Sequence, residues 1–344
     1  MRTLSNEKSR LIFAFTVFFS FSFSLLSPVH AVPFISKNKE IEIGRSGDKQ
    51  IVLQYGIYQD KSLQLYVNII GQKLVSKLSN KEFRKFHFKL VDSSEINAFA
   101  LPGGYVYVTR GLLAALNNES ELASVIGHEI AHVTLHHGAK LMIRSIGAQI
   151  FSVGGAIASP KNAGKWLAVS TALFQQINMG YGREAELESD SQGMLNSVEA
   201  GYHPTAMVNF LKNLRKQEVM SGQAYHGFQA SHPETKERIV KAGTFALSLS
   251  RKYTASAVNE NIYLQKLQGL VYGGKKHRKD KKKYKPKYLD IYEVQKGDTF
   301  RSISNKIYKG DKHSYEIATI NGIKESATLN PGRMLKIVRD GVYK

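Results

Sequence analysis

The chain has 344 residues, with 48 Lys and Arg against 28 Asp and Glu, and it contains no cysteine. This length allows two domains, and a composition of 42% hydrophobic residues excludes wholesale disorder. The absence of cysteine excludes a disulfide framework, a cysteine nucleophile and a thiolate-bound metal, so a metal site must use His and carboxylates. The net charge of +20 indicates anionic surroundings.

The N-terminal segment predicts export. Basic residues precede Leu11 to Leu26, an uncharged run of 16 residues, and a small-x-Ala cleavage pattern ends at Ala31. The alternative is an uncleaved membrane anchor, but the run is shorter than the roughly 20 apolar residues that a span needs. We therefore predict a signal peptide at residues 1–31 and a protein located in the periplasm or cell envelope.

A metal site is indicated by the H-E-x-x-H motif at residues 128–132, which lies among helix-forming residues. On a helix, His128 and His132 are one turn apart on the same face, so both imidazoles can bind one Zn²⁺. Glu129 is rotated to the side, where it can serve as a general base rather than as a ligand.

A third ligand is offered by the acidic segment at residues 183–190. Glu186 and Asp190 are spaced i, i+4, so Glu186 can complete a His₂Glu site while Asp190 accepts the spare ring N–H of a ligand His. Taken alone, such a segment is more often a solvated acidic helix face. Because it follows H-E-x-x-H in an exported chain, we favour the metal site.

The sequence HEIAHVTLHH, followed at a distance by GREAELESDSQG, resembles the gluzincin metalloproteases of the HtpX, BepA and LoiP type. Further segments match this family, and the resemblance covers about residues 36–273. It implies an endopeptidase with one Zn²⁺ per chain that acts on misfolded or stalled envelope proteins. The further matching segments are residues 97–108, 231–238 and 261–273.

The resemblance also implies a substrate-binding edge strand above the metal, formed by Asn97, Ala98, Phe99 and Ala100. Such an edge pairs with the backbone of an extended substrate, so cleavage would tolerate many sequences and select unfolded segments. The alternative is an interior hairpin without a substrate role.

Two residues from a distant segment, His232 and Arg238, match the family's H-P-x-x-x-x-R pattern. A His and an Arg brought to the metal suit stabilisation of a developing oxyanion. In the BepA-type relatives the matching His can instead occupy the open metal position, and a plain loop His is the third alternative. His136 and His137, which follow the motif, are predicted to be supporting polar residues rather than ligands.

The stretch from Lys140 to Gly180 is largely apolar and rich in Gly and Ala. The sequence leaves three interpretations open: a cover over the cleft, a membrane-facing patch, or plain core packing.

The C-terminal segment has a β-α-α-β pattern with KGDTF, INGI and LNPGRMLKI, and it resembles a LysM module. That family binds the N-acetylglucosamine-containing glycan of peptidoglycan or chitin. Its grooves lie over the strand–helix turns, although turn residues can also serve only the fold. The candidates for sugar contact are Gly297, Asp298, Thr299, Phe300, Asn330, Pro331 and Gly332.

Between the two parts lies a basic run in which nine of the residues from 275 to 287 are Lys or Arg. Export argues against nucleic acid as its partner. An attraction to anionic envelope polymers or to an anionic membrane surface fits better, and a solvated spacer is an equal alternative.

The whole sequence therefore predicts an α+β protein in which two cores share few contacts. A mostly helical gluzincin domain with a small β-sheet occupies residues 36–273, a Lys-rich linker residues 274–288, and a βααβ LysM domain residues 290–339. The predicted function is an exported zinc metalloendopeptidase that degrades misfolded envelope proteins and is tethered to peptidoglycan. The alternatives are a hydrolase of peptidoglycan peptides and a non-proteolytic chaperone or scaffold.

Overall fold

The computed structural model describes residues 35–79, 83, 85–144, 163–221, 227–233, 236–274 and 285–343. The predicted signal peptide and most of the basic linker lie outside the described residues. From Ile35 onward the chain forms one compact unit. Within the described part, every helix is too short or too polar to cross a membrane.

The first part of the chain is mostly helical with one small sheet, and the last part is a βααβ module, so the predicted α+β fold class is confirmed. In the first part the elements are α1 (Lys37–Tyr55), α2 (Lys61–Val75), β1 (His87–Val91), β2 (Ala98–Leu101), β3 (Tyr105–Thr109), α3 (Arg110–Ala115), α4 (Glu119–Thr134), a helical stretch at 137–144, α5 (Ala163–Ile177), α6 (Arg183–Glu199), α7 (Ala206–Ser221), α8 (Phe228–Ser231), α9 (Lys236–Lys252) and α10 (Glu260–Lys266). The module consists of β4 (Lys287–Glu293), α11 (Phe300–Tyr308), α12 (Ser314–Ile320) and β5 (Met334–Asp340).

The sheet of the first part has the strand order β1-β3-β2, with β3 parallel to β1 and antiparallel to β2. The central strand, β3, is buried along its whole length, as its run of aromatic and β-branched residues predicts. The edge strand, β2, lies against α4, so the sheet edge is brought next to the helix that carries H-E-x-x-H.

Helices α4 and α6 pack very closely, because a glycine of each helix faces the other. A Cβ on Gly193 would lie 2.6 Å from the backbone nitrogen of His128, and one on Gly127 would lie 2.8 Å from the carbonyl oxygen of Gly193. The start of α4 is fixed by Asn118, whose side chain accepts a hydrogen bond from Glu121 N at 2.8 Å. The close packing of α4 against α6 at these glycines brings the carboxylates of α6 to the histidines of α4.

The described end of the Lys140–Gly180 stretch packs against the sheet. Leu173, Phe174 and Ile177 of α5 share a hydrophobic cluster with Tyr55 and Phe99. This packing favours the core interpretation for the end of α5, whereas residues 145–162 lie outside the described part of the chain.

The module is joined to the first part by main-chain hydrogen bonds rather than by loose contacts. The segment that follows α10 pairs with β4: Gly269 N donates to Leu289 O at 2.8 Å, and Leu289 N donates to Leu270 O at 2.9 Å. Leu289 and Val338 of the module belong to the hydrophobic core of the first part. The expectation that two cores share few contacts is therefore wrong, because the strand pair of the module is itself part of the larger core.

Candidate metal centre

Three segments that are distant in sequence bring their polar side chains to one buried point. Helix α4 supplies His128, Glu129 and His132, helix α6 supplies Glu186, and the turn after α8 supplies His232. Each of these five residues is at most 1% exposed. Burying so many ionisable groups is costly unless a cation or close pairing compensates for the lost hydration.

The donor atoms of four of these residues converge. His132 Nε2 and His128 Nε2 lie 3.0 Å apart, and His128 Nε2 lies 3.2 Å from His232 Nδ1. Glu186 Oε1 lies 3.0 Å from His232 Nδ1 and 3.4 Å from His132 Nε2. Bonds of about 2.0–2.1 Å to one ion would give a tetrahedron with edges of about 3.3 Å. The ligand atoms of the four residues all lie within 4.8 Å of one another. They therefore fit a small cation with tetrahedral coordination.

Glu129 lies beside this group and outside it. Among the described residues neither of its carboxylate oxygens has a hydrogen-bond partner. Burial raises the pKa of Glu129, although the nearby His232 and His128 oppose that shift. Its Oε1 lies 3.4 Å from His232 Nε2, within the range of an ionic contact. A carboxylate in this position suits the general base that the sequence predicts.

Two residues support His128 from behind. His128 Nδ1 lies 3.0 Å from Asp190 Oδ1, close enough for an ionic contact although the ring N–H is poorly aligned for a hydrogen bond. Arg238 donates to both oxygens of Asp190, from Nε and from Nη2, at 2.8 Å each. Burial acts to raise the pKa of Asp190, but the Arg238 guanidinium outweighs burial, and the pKa is lowered. The Asp190 carboxylate therefore stays ionised.

Arg238 was predicted to help stabilise an oxyanion, and its contacts point to a different role. Besides Asp190, it donates from Nη1 to the carbonyl oxygen of His232 at 3.0 Å, and Nη1 lies 2.9 Å from Glu186 Oε2. Its side chain is 1% exposed. These contacts make Arg238 a positioning residue that ties the turn carrying His232 to helix α6.

His132 is supported by a pair of residues of which the sequence analysis named only one. His137 Nδ1 lies 3.0 Å from His132 Nδ1, and His137 Nε2 lies 3.1 Å from Glu188 Oε2. Burial lowers the pKa of His137, which favours a neutral ring with one donor and one acceptor nitrogen. His136 points elsewhere, because its Nδ1 lies 2.6 Å from Glu40 Oε1.

Tyr181, which the sequence analysis did not single out, closes the site on the side of the sheet. Its ring stacks on the ring of His132, with centroids 4.0 Å apart and planes at 23°. Its hydroxyl donates to the carbonyl oxygen of Ala100 at 3.2 Å. Burial raises the pKa of Tyr181, so the hydroxyl stays protonated and remains a donor.

The predicted substrate strand lies next to the metal group. Ala98, Phe99 and Ala100 belong to β2, the edge strand of the sheet, and Asn97 precedes it. The side chain of Asn97 accepts a hydrogen bond from Ser231 Oγ at 3.3 Å, so the strand is tied to the residue before His232. All four side chains are buried.

In the module, six of the seven sugar-contact candidates lie on two adjacent turns. Gly332 N donates to Val294 O at 2.9 Å, which holds the second turn beside the first. Phe300 is the exception, because it is 1% exposed and belongs to the core of the module, so it is not available to a sugar. The six candidates that remain exposed or partly exposed are Gly297, Asp298, Thr299, Asn330, Pro331 and Gly332.

Two histidines of H-E-x-x-H, a glutamate from a second helix and an adjacent glutamate without a hydrogen-bond partner indicate the class of the protein: it is a metallopeptidase, in which a buried group of three histidines and one glutamate could hold the metal. Residues 61–245 match the model of peptidase family M48, and residues 292–338 match that of the LysM domain. The chain therefore belongs to peptidase family M48 and carries a LysM domain. The predicted family and the predicted enzyme class are confirmed.

Several proteins of known name are similar to this chain. The beta-barrel assembly-enhancing protease of Escherichia coli K12 is 32% identical over 244 residues, which are 69% of this chain and 49% of that protein. The protein of the same name from Yersinia pestis is 30% identical over 280 residues, covering 79% of this chain and 55% of that protein. The mitochondrial metalloendopeptidase OMA1 of Schizosaccharomyces pombe is 26% identical over 212 residues, which are 60% of this chain and 61% of that protein. This chain spans about half the length of the two bacterial relatives.

Proposed function

We propose that this chain is a zinc-dependent endopeptidase that cleaves unfolded or stalled proteins of the cell envelope. The observation that carries the proposal is the buried convergence of His128, His132, Glu186 and His232, with the carboxylate of Glu129 beside it and without a hydrogen-bond partner among the described residues. A purely structural ion site has no need of an additional carboxylate next to its ligands, whereas metal-assisted peptide hydrolysis uses one as a general base.

Zinc is the metal that suits this donor set. Three imidazole nitrogens and one carboxylate in a tetrahedral arrangement favour Zn²⁺, whereas Mg²⁺ and Ca²⁺ prefer more ligands, all of them oxygen. When bound, Zn²⁺ would polarise the scissile carbonyl and acidify the attacking water. Glu129 would take the proton of that water and later deliver it to the leaving amine.

His232 has two candidate roles, and its position supports one of them. Its Nδ1 lies 3.2 Å from His128 Nε2, at the distance expected between two ligands of one ion. Four protein ligands leave a tetrahedral metal without an open position, and catalysis requires one. We infer that His232 caps the metal in the resting state and must leave for substrate to be cleaved.

The substrate proposal depends on the edge strand and on the similarity to relatives. β2 presents a sheet edge beside the metal group, and such an edge binds extended chains by main-chain hydrogen bonds. Two bacterial relatives are named for enhancing the assembly of β-barrels. We therefore place the substrates among unfolded or incompletely assembled envelope proteins.

The location proposal depends on both ends of the chain. The N-terminal residues 1–31 have the pattern of a signal peptide, and the LysM domain suits a protein retained on peptidoglycan glycan strands. The six exposed turn residues are the proposed sugar contacts. The basic residues 275–287 would add attraction to anionic polymers or membrane surfaces.

The test is proteolysis of an unfolded protein such as casein by purified wild type and Glu129→Gln, before and after chelation and with Zn²⁺ restored. We expect the wild type to lose activity with the chelator and to regain it with Zn²⁺. We expect Glu129→Gln to keep stoichiometric zinc and to be about 10²- to 10⁴-fold slower. Wild-type turnover by Glu129→Gln would refute the proposed general base. Release of peptides from purified sacculi without casein cleavage would favour the cell-wall hydrolase.

A further inference from the structure

The hydrogen-bonding pattern of β2 decides which of its backbone groups face outward. Thr109 N donates to the carbonyl oxygen of Asn97 at 3.1 Å, so Asn97 and Thr109 form a hydrogen-bonded pair. In antiparallel strands such pairs alternate with pairs whose N–H and C=O groups point away from each other. Ala98 and Ala100 therefore turn their N–H and C=O groups away from β3, toward the edge where a substrate strand would add.

One of these outward groups is already bonded. The carbonyl oxygen of Ala100 accepts the hydroxyl of Tyr181 at 3.2 Å. The same tyrosine ring stacks on the metal-site histidine His132 at 4.0 Å between centroids. The single side chain of Tyr181 thus contacts both a main-chain acceptor of the edge strand and a histidine of the metal group.

The backbone around Tyr181 is built from residues that tolerate unusual conformations. Gly180 has φ 100° and Gly182 has φ 96°, values that residues with a Cβ rarely adopt. A Cβ on Gly182 would meet nothing within 4 Å, so crowding does not explain this glycine. Tyr181 is therefore carried on a two-glycine segment in which φ and ψ can change at low energetic cost.

We propose that Tyr181 is a latch on the substrate-binding edge: its hydroxyl holds the carbonyl oxygen of Ala100 until the main chain of an extended substrate replaces it. This inference rests on the proposed endopeptidase function and names how substrate enters. The substrate class is an extended polypeptide with a free main-chain N–H at the position facing Ala100. A folded protein, whose N–H groups are already paired, cannot displace the phenol.

The latch predicts that loss of the Tyr181 hydroxyl changes KM and leaves kcat nearly unchanged. Because the bond between Tyr181 and Ala100 stabilises only the closed form, removing the hydroxyl increases the fraction of protein that is competent to bind substrate. One neutral hydrogen bond changes such an equilibrium by about 2- to 12-fold. Tyr181→Phe should therefore lower KM for unfolded casein by about that factor and leave kcat within about 2-fold. If the hydroxyl instead stabilised an oxyanion, kcat would fall.

A matched control is available in the same fold. Tyr263 is a buried tyrosine whose hydroxyl donates to the carbonyl oxygen of Leu113 at 2.6 Å, away from the metal group. Tyr263→Phe removes an equivalent hydrogen bond and should leave KM unchanged. Thermal melting and zinc content of both variants show whether each is folded and loaded.

The latch and the proposed function are tested separately by binding in an inactive background. A fluorescent unstructured peptide is titrated into Glu129→Gln with and without Tyr181→Phe. Tighter binding by the double variant supports the latch even if the wild type cleaves nothing. Cleavage by the wild type with an unchanged KM and unchanged peptide affinity for Tyr181→Phe would overturn the latch and leave the endopeptidase intact. The same KM shift in Tyr263→Phe would also overturn it.

Discussion

Lys336 of the LysM module lies with its Nζ 2.7 Å from the carbonyl oxygen of Leu116, in the segment that leads into helix α4. It also donates to the carbonyl oxygen of Ala114 at 2.9 Å and is completely buried. A fully buried lysine is rare unless its donors are satisfied. The module thus inserts a lysine side chain at the end of α3, directly before the helix that carries H-E-x-x-H.

Lys336→Met should destabilise the whole compact unit. It removes the donor that binds the buried carbonyls of Ala114 and Leu116, and each buried group left unpaired typically costs about 1–3 kcal/mol. Thermal unfolding of Lys336→Met measures the loss, with the exposed Lys324→Met as the control. Separate melting of the module with the remainder unaffected would contradict the prediction.

The cost of Lys336→Met should depend on pH with a definite sign. Burial lowers the pKa of Lys336 to about 7, below its usual 10.5, so between these values the unfolded chain binds more protons than the folded one. The stability contribution of this group therefore rises as pH increases above 7. Burial also raises the pKa of Glu121 to about 7, and removing the lysine raises it further, which acts in the same direction. The difference in unfolding free energy between wild type and Lys336→Met should widen from pH 6 to pH 9, and a constant gap would refute the assignment.

The structure also separates what the sequence could predict from what it could not. The convergence of the candidate ligands His128, His132 and Glu186 could be predicted, because the spacing within each helix fixes which side chains share a face. The roles of Tyr181 and Glu188 depend on how helices and loops far apart in sequence pack together, and no local pattern reports that packing.

Phe300 was wrongly predicted as a sugar contact, and the role of Lys336 was not predicted at all. An aromatic such as Phe300 beside a turn resembles a sugar platform, but it is the first residue of α11 and faces the core. In the sequence, Lys336 has the appearance of an ordinary polar residue of a strand. Its burial against a distant part of the chain cannot be read from the alternation of polar and apolar residues along that strand.

Arg238→Lys should weaken zinc binding by about 10- to 100-fold, the usual effect of losing a residue that orients ligands. A lysine cannot reproduce the two parallel hydrogen bonds from Arg238 to Asp190. The control is Arg183→Lys, which alters an exposed pair with Glu237 and should change zinc affinity little. Competition with a chromogenic chelator measures both affinities. Wild-type affinity in Arg238→Lys would show that the Asp190 contact does not orient His128.

His232→Ala distinguishes the two roles of that residue by the sign of the effect. If His232 caps the resting metal, its removal opens a coordination position and should increase basal cleavage of casein. If it serves the transition state, activity should fall by about 10²- to 10³-fold. The position of its Nδ1 among the ligand atoms leads us to expect the increase. The exposed His313→Ala is the control, and an unchanged rate in His232→Ala would exclude both roles.

Asn330→Ala should weaken binding to purified peptidoglycan by about 3- to 10-fold, because it removes hydrogen bonds from an exposed turn of the proposed sugar face. Asn305→Ala, at an exposed position of helix α11, is the matched control and should bind as wild type does. Replacing the lysines of residues 275–283 by serine should instead remove a salt-sensitive component, since exposed charges are screened beyond about 8 Å at physiological ionic strength. Co-sedimentation with sacculi at low and high salt measures all three variants. Equal binding by Asn330→Ala and Asn305→Ala would move the sugar site away from these turns. An unchanged salt dependence in the serine variant would leave the basic segment as a spacer, so that wall attachment would depend on the docked module alone.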